Sequence, residues 1–195
     1  MDKPKIRKAH VTKQRDVRIH AELWHTSNCL LEAGQQTAKA STHQFRASLV
    51  FRAFYLEAFL NWLGQHLIPH WNYLERLKPK EKLDLLNDLI HVTPDYGTRP
   101  WQIVKDLFAF RNYLAHGKSE SLNTESVEDL NEFLDGKLGQ TIPTEWERFC
   151  TEENAVRAKE DVEKIATLLY EKAQVKHEGP LGPFSFGFQI HSAVL

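Results

Sequence analysis

Cysteine is scarce in this sequence. Cys29 and Cys150 are the only two in 195 residues, they lie far apart and they form no CxxC pair. That pattern gives no disulfide framework and reads as two reduced thiols in a reducing compartment. Long hydrophobic runs are also missing. The most apolar stretch, LVFRAFYLEAFLNWL, is broken by Arg52, Glu57 and Asn61, whereas an ordinary membrane span needs about 20 mostly apolar residues. The opening segment MDKPKIRKAH has no apolar stretch behind its charges, so no secretory signal is expected. The reading is therefore a cytoplasmic protein without membrane attachment. Strand signals are weak throughout, because β-branched residues are scattered and no hairpin dipeptide separates alternating runs. There is no Gly-rich phosphate loop, no GxSxG and no HExxH, which argues against conventional NTPase, hydrolase and metalloprotease chemistry. His66 and His70 are four apart, but Pro69 breaks the helix between them and no third ligand is evident. No metal and no cofactor are expected.

What is present is an ordinary globular balance, 42% hydrophobic and 26% charged, in a chain long enough to bury a real core. The net charge of −1 conceals an uneven distribution. Seven Lys/Arg against two acids crowd residues 1–20, and six acids with no Lys or Arg occupy residues 119–135. The basic end reads either as a solvated, frayed terminus or as an arm able to touch phosphates through charge.

Helical periodicity is strong in five places, and the fold class read from it is all-α, an up-down bundle. The spacing predicts a first helix over about Gln14–Thr37, with Ile19, Leu23, Leu30 and Gly34 near one face and Trp24 and Leu31 beside them. A second covers about Thr42–Leu67. Phe45, Leu49, Leu56, Phe59, Leu60 and Leu63 cover more than half its circumference, so it belongs at the centre. A third spans about Pro79–His91, a fourth about Pro100–Ala115 and a fifth about Glu152–Ala173, with Thr151 as N-cap. Residues 117–150 read as a long loop with a short helix at about Val127–Leu134. The organisation expected is a basic arm (1–13), a helical domain (14–176) and an irregular Gly/Pro/Phe-rich tail (177–195). The alternating Phe184, Phe186 and Phe188 suit a tail lying extended across the body or onto a second subunit. Trp62, Trp71, Trp101 and Trp146 read as core residues.

Chemistry concentrates on the fourth helix. Trp101, Val104, Phe108, Arg111 and Ala115 share one face, which puts a guanidinium on an apolar stripe, where it needs acceptors. Asn112 and His116 stack on an adjacent face. Arg111 and His116 lie about 140° apart on an ideal helix, so they converge only if the helix ends at His116 or the arginine wraps round. Gly117 is placed to end it. On the second helix Glu57 and Asn61 are two polar groups four apart within the most apolar segment, and they need partners. Glu57 is the expected acceptor for Arg111, with Asn61 nearby.

The string Phe110-Arg111-Asn112-Tyr113-Leu114-Ala115-His116-Gly117 resembles the R-x4–6-H signature of HEPN (higher eukaryote and prokaryote nucleotide-binding) domains, in which a polar residue often follows the arginine. The segment Tyr55–Asn61 is similar to their second helix, where an acid and an asparagine recur. The resemblance covers about residues 14–173. The bare pattern also occurs at Arg15/His20 and Arg18/His25; what separates 111–116 from these is its apolar helix, its Asn112 and its terminal glycine. The resemblance implies a metal-independent endoribonuclease of defence or toxin type, in which a ribose 2′-OH attacks the adjacent phosphate. Arg111 would hold the phosphate, His116 would move the proton and Asn112 would orient either. It further implies a homodimer packed through the motif helix, RNA or nucleotide as ligand, and an antitoxin or other protein partner. The alternative is a non-catalytic HEPN-like module that binds a nucleotide, a nucleic acid or a protein. Lys118 stands where the toxin branch often carries a modifiable tyrosine. An Arg111 and a His116 accessible at one cleft would favour the enzyme; a buried, fully paired Arg111 would favour the module.

Overall fold

The structure is a computed structural model. It describes residues 9–37, 39, 41–117, 119–123, 142–175, 182–185 and 187–194, with only the backbone path for 9–16 and 187–194. The expected helix at about Val127–Leu134 lies outside the described residues.

The body is all-helical. After strand β1 (Ala9–Asp16) come α1 (Ile19–Gln36), α2 (Ser41–Leu67), a 3-10 turn at Trp71–Tyr73, α3 (Pro79–Leu89), α4 (Gln102–His116), α5 (Glu145–Phe149), α6 (Glu152–Ala173) and strand β2 (Gly187–Val194). The hub is α2, which packs most extensively against α1 and then against α6, α4 and α3. Its six residues named above are all buried, as a helix apolar around most of its circumference requires. α1 and α2 run antiparallel, with Gly34 against Phe45 at one end and His20 against Trp62 at the other. Ser48 Oγ donates to the Ser27 carbonyl at 2.8 Å, and Arg52 Nη2 donates to Asn28 Oδ1 at 2.7 Å. Arg52 is itself buried, with its guanidinium 3.9 Å from the Trp24 ring centroid. Among the described residues, no helix is long and apolar enough to cross a membrane.

Several boundaries and faces differ from expectation. α1 begins at Ile19, because Gln14–Asp16 belong to a strand. Its inward face is Ala21, Trp24, Ser27, Leu31 and Gly34, while Ile19 is exposed; the large Trp24 ring turns the helix so that it meets Tyr55. The basic arm and the irregular tail also need correction. Residues 9–16 and 187–194 pair antiparallel, from Ala9 opposite Val194 to Asp16 opposite Gly187. Ahead of β2 the tail lies on the body, with the Phe184 ring 4.4 Å from Trp24 and 5.8 Å from Tyr55.

The loop before α6 contains α5, which was not expected. Its start is a capping box: Thr144 Oγ1 accepts from the Glu147 backbone N–H, and the Glu147 carboxylate accepts from the Thr144 N–H at 2.8 Å. A Thr-x-x-Glu string is a legible helix start, but five residues are too few for a periodic stripe to register. α6 keeps its expected bounds, with the Thr151 hydroxyl accepting from the Asn154 N–H.

Candidate functional site

The C-terminal half of α4 gathers the chemistry. Ile103, Val104, Leu107, Phe108 and Phe110 bury one side of the helix against the core. This fixes the directions of the residues that follow them. Arg111 faces α2, where its Nη2 donates to the Glu57 carboxylate, so the expected acceptor is the observed one. The Phe54 ring lies 5.8 Å from the guanidinium carbon. Arg111 Nη1 donates to Asn112 Oδ1 at 3.0 Å. The Asn61 side-chain oxygen, one turn along α2 from Glu57, is buried without a hydrogen-bond partner, so Asn61 does not join this network as expected.

Sequence reasoning missed Lys82. It is 1% exposed on α3, and its ammonium lies 3.5 Å from the second Glu57 oxygen. Helical spacing puts position 82 beside the Leu83/Leu86 stripe, but lysine there normally signals a solvated edge. Only the approach of α3 to α2 turns it inward. One carboxylate thus faces two cations. Among the described residues, the Lys82–Glu57–Arg111 cluster holds two cations to one carboxylate at the junction of three helices.

His116 is the last residue of α4, and Gly117 caps the helix in the left-handed region at φ 48°, its N–H donating to the Tyr113 carbonyl. The helix ends where expected, but among the described residues no contact joins His116 to Arg111. The imidazole and Asn112 are exposed and line an open depression of about 510 Å³ with Ala109, Tyr113 and Glu120. Of the five predicted residues, then, Arg111, Asn112 and Glu57 form one network. His116 stands beside it through Asn112 on the outer face, and Asn61 is apart.

Tyr113 borders this depression. Its phenol is pushed up to about 12, chiefly because the Glu120 carboxylate accepts from it, so the hydroxyl is a fixed donor near neutral pH. Among the described residues, no group of three or more His, Cys, Asp or Glu side chains is placed to hold a metal ion. No family model, no curated protein and no solved structure matches this chain.

Proposed function

We propose that this chain is a HEPN-like protein acting on RNA at the C-terminal end of α4, as a metal-independent endoribonuclease of defence or toxin type. The observation that carries this reading is the pairing of two cations with one carboxylate in the Lys82–Glu57–Arg111 cluster, which reaches the surface through Asn112, and Asn112 shares its depression with exposed His116. Two cations on one carboxylate attract an anion, and a phosphodiester approaching His116 brings its charge toward them. Arg111 spends one N–H of each terminal nitrogen on its two partners. Others remain to stabilise the charge that develops on the phosphorus-bound oxygens. A neutral imidazole carries a nitrogen that can accept a proton, so His116 is suited to take the proton of the 2′-OH as that oxygen attacks phosphorus. The 5′-oxygen leaves with a proton from an acid, giving a 2′,3′-cyclic phosphate and a 5′-OH. One chain offers a single motif imidazole. In a homodimer packed through α4, two exposed His116 side chains would face each other and divide the roles of acid and base.

The test is cleavage of end-labelled RNA in EDTA by wild type and by His116→Ala purified in parallel. The expected result is wild-type cleavage with cyclic-phosphate ends and a loss of at least about 100-fold in the variant. Equal cleavage by both proteins would sink the assignment. A second reading has its own observation: Arg111 already pairs with both Glu57 and Asn112. That favours a non-catalytic module for a nucleotide, a nucleic acid or a protein partner such as an antitoxin. RNA binding without cleavage would select it.

A further inference from the structure

The side of α4 that continues from Ala109 and Tyr113 opens into a second hollow, between α4, α5 and the start of α6, of about 390 Å³. That is within the size range of small-ligand pockets. Its wall is aromatic: Phe110, Tyr113, Trp146 and Phe149 all line it. Core packing accounts for Phe110, which is buried. Trp146 and Phe149 pack against the core with one side and, with Tyr113, are only partly buried, so each keeps surface toward the hollow. Trp146, like Trp62, packs against the core without being fully buried, unlike Trp71 and Trp101. The Tyr113 and Trp146 rings lie 29° from parallel with centroids 6.3 Å apart, and the Arg46 guanidinium carbon sits 4.5 Å from the Trp146 ring centroid. Polar groups rim the hollow. The Asn154 amide donates to the Phe149 carbonyl, which leaves its side-chain oxygen as an acceptor, while Arg157 is held by Gln102 and Asp106 through Nη2 and by Asp161, 3.7 Å from its Nε.

Ala109 and Tyr113 line both this hollow and the His116 depression. Tyr113 precedes His116 by three residues, about 4.5 Å of helix rise. A group bound in the hollow is thus within one nucleotide of a phosphate at His116. A flat ring with donors and acceptors on its edge matches an aromatic wall with a polar rim; an aliphatic or purely charged ligand leaves one of the two unused.

We propose that the hollow between α4 and α5 is a nucleobase subsite, in which Trp146 and Tyr113 supply the stacking faces and Asn154 meets the base edge. It seats a base of the strand whose phosphate reaches His116, and it rests on the RNA reading above. Stacking on aromatic faces tolerates any base, so the subsite sets single-strand preference rather than a sequence code.

The experiment measures binding of a short, single-stranded 2′-O-methyl oligoribonucleotide, which cannot be cleaved, and of the same oligomer with abasic positions. The full-length wild type, Trp146→Leu and Trp146→Phe are compared. Trp146→Leu should weaken binding of the intact oligomer roughly 5- to 150-fold and leave binding of the abasic oligomer unchanged, and Trp146→Phe should restore most of the loss. Tyr113→Leu provides the second variant should Trp146→Leu lose its fold by circular dichroism. Equal losses on both oligomers would mark a merely structural role and overturn the subsite, as would no loss on either. If His116-dependent cleavage persists in that case, the RNA reading stands without the subsite. If wild type binds neither oligomer, both fall.

Discussion

Glu57 is the residue on which the site depends. Removing its charge takes from Lys82, 1% exposed, and from Arg111, with its side chain 20% exposed, the one carboxylate they share among the described residues. Removing Lys82 leaves the Glu57–Arg111 pair intact. Glu57→Gln should therefore cost about 2 kcal/mol, less than for a fully buried pair because water reaches part of it, while Lys82→Met should stay within about 1 kcal/mol. Denaturant titration of the two variants checks the order, and a larger loss for Lys82→Met would refute the shared-carboxylate account. His20 makes a separate prediction. It is 2% exposed among Tyr55, Phe59 and Trp62, and its pKa is lowered to about 4, first by burial and then by the positive charge of Arg18 and by His66. The folded protein holds this imidazole neutral, while the unfolded chain protonates it near the ordinary 6.5. The resulting stability is complete above about pH 6.5 and is lost as pH falls toward 4, on the order of 3 kcal/mol across that window. His20→Phe keeps a ring in the cluster and should flatten this part of the stability–pH curve. A curve parallel to wild type would show that His20 contributes no such dependence.

At the scale of elements, legibility followed length and periodicity. α2 and α6 were readable because many turns repeat one pattern, so local and tertiary preferences agree. α1 was expected but begins five residues later and is rotated, with its buried face set by Trp24 meeting Tyr55 and Phe184. α5 was missed although its Thr144/Glu147 box was visible, because a single turn carries no repeat. The two strands were missed for a different reason. β pairing is decided by a partner, and here the partner is near the other end of the chain. Within α4, that Arg111 and His116 lie on different faces was readable from spacing. That Arg111 turns to α2 rather than toward His116 was settled by where Glu57 lies.

For the whole molecule, the tail is a structural element. Phe184 closes over Trp24 and Tyr55, and β2 supplies β1 with its only sheet neighbour among the described residues. A two-stranded ribbon has little stability of its own, so most of the gain should come from the aromatic contact. Deleting residues 182–195 should lower Tm by about 5–10 °C, the equivalent of one buried aromatic side chain in a chain of this size. An unchanged Tm by calorimetry would refute docking. The charge pattern has the same dependence on the whole. The composition is close to neutral, yet packing three helices together puts two cations on one carboxylate and concentrates positive charge at one place.

The sequence by itself determined the helical body, the central position of α2, the end of α4 at Gly117 and the Glu57–Arg111 pair. Each of these follows from residue spacing along a helix and from the need of a buried polar group for a partner. Only the tertiary structure decided that Lys82 joins that pair, that Asn61 does not, that His116 faces outward, and that the two ends of the chain meet. Those depend on which elements approach one another, and that is set by the sum of packing over the whole core rather than by any local pattern.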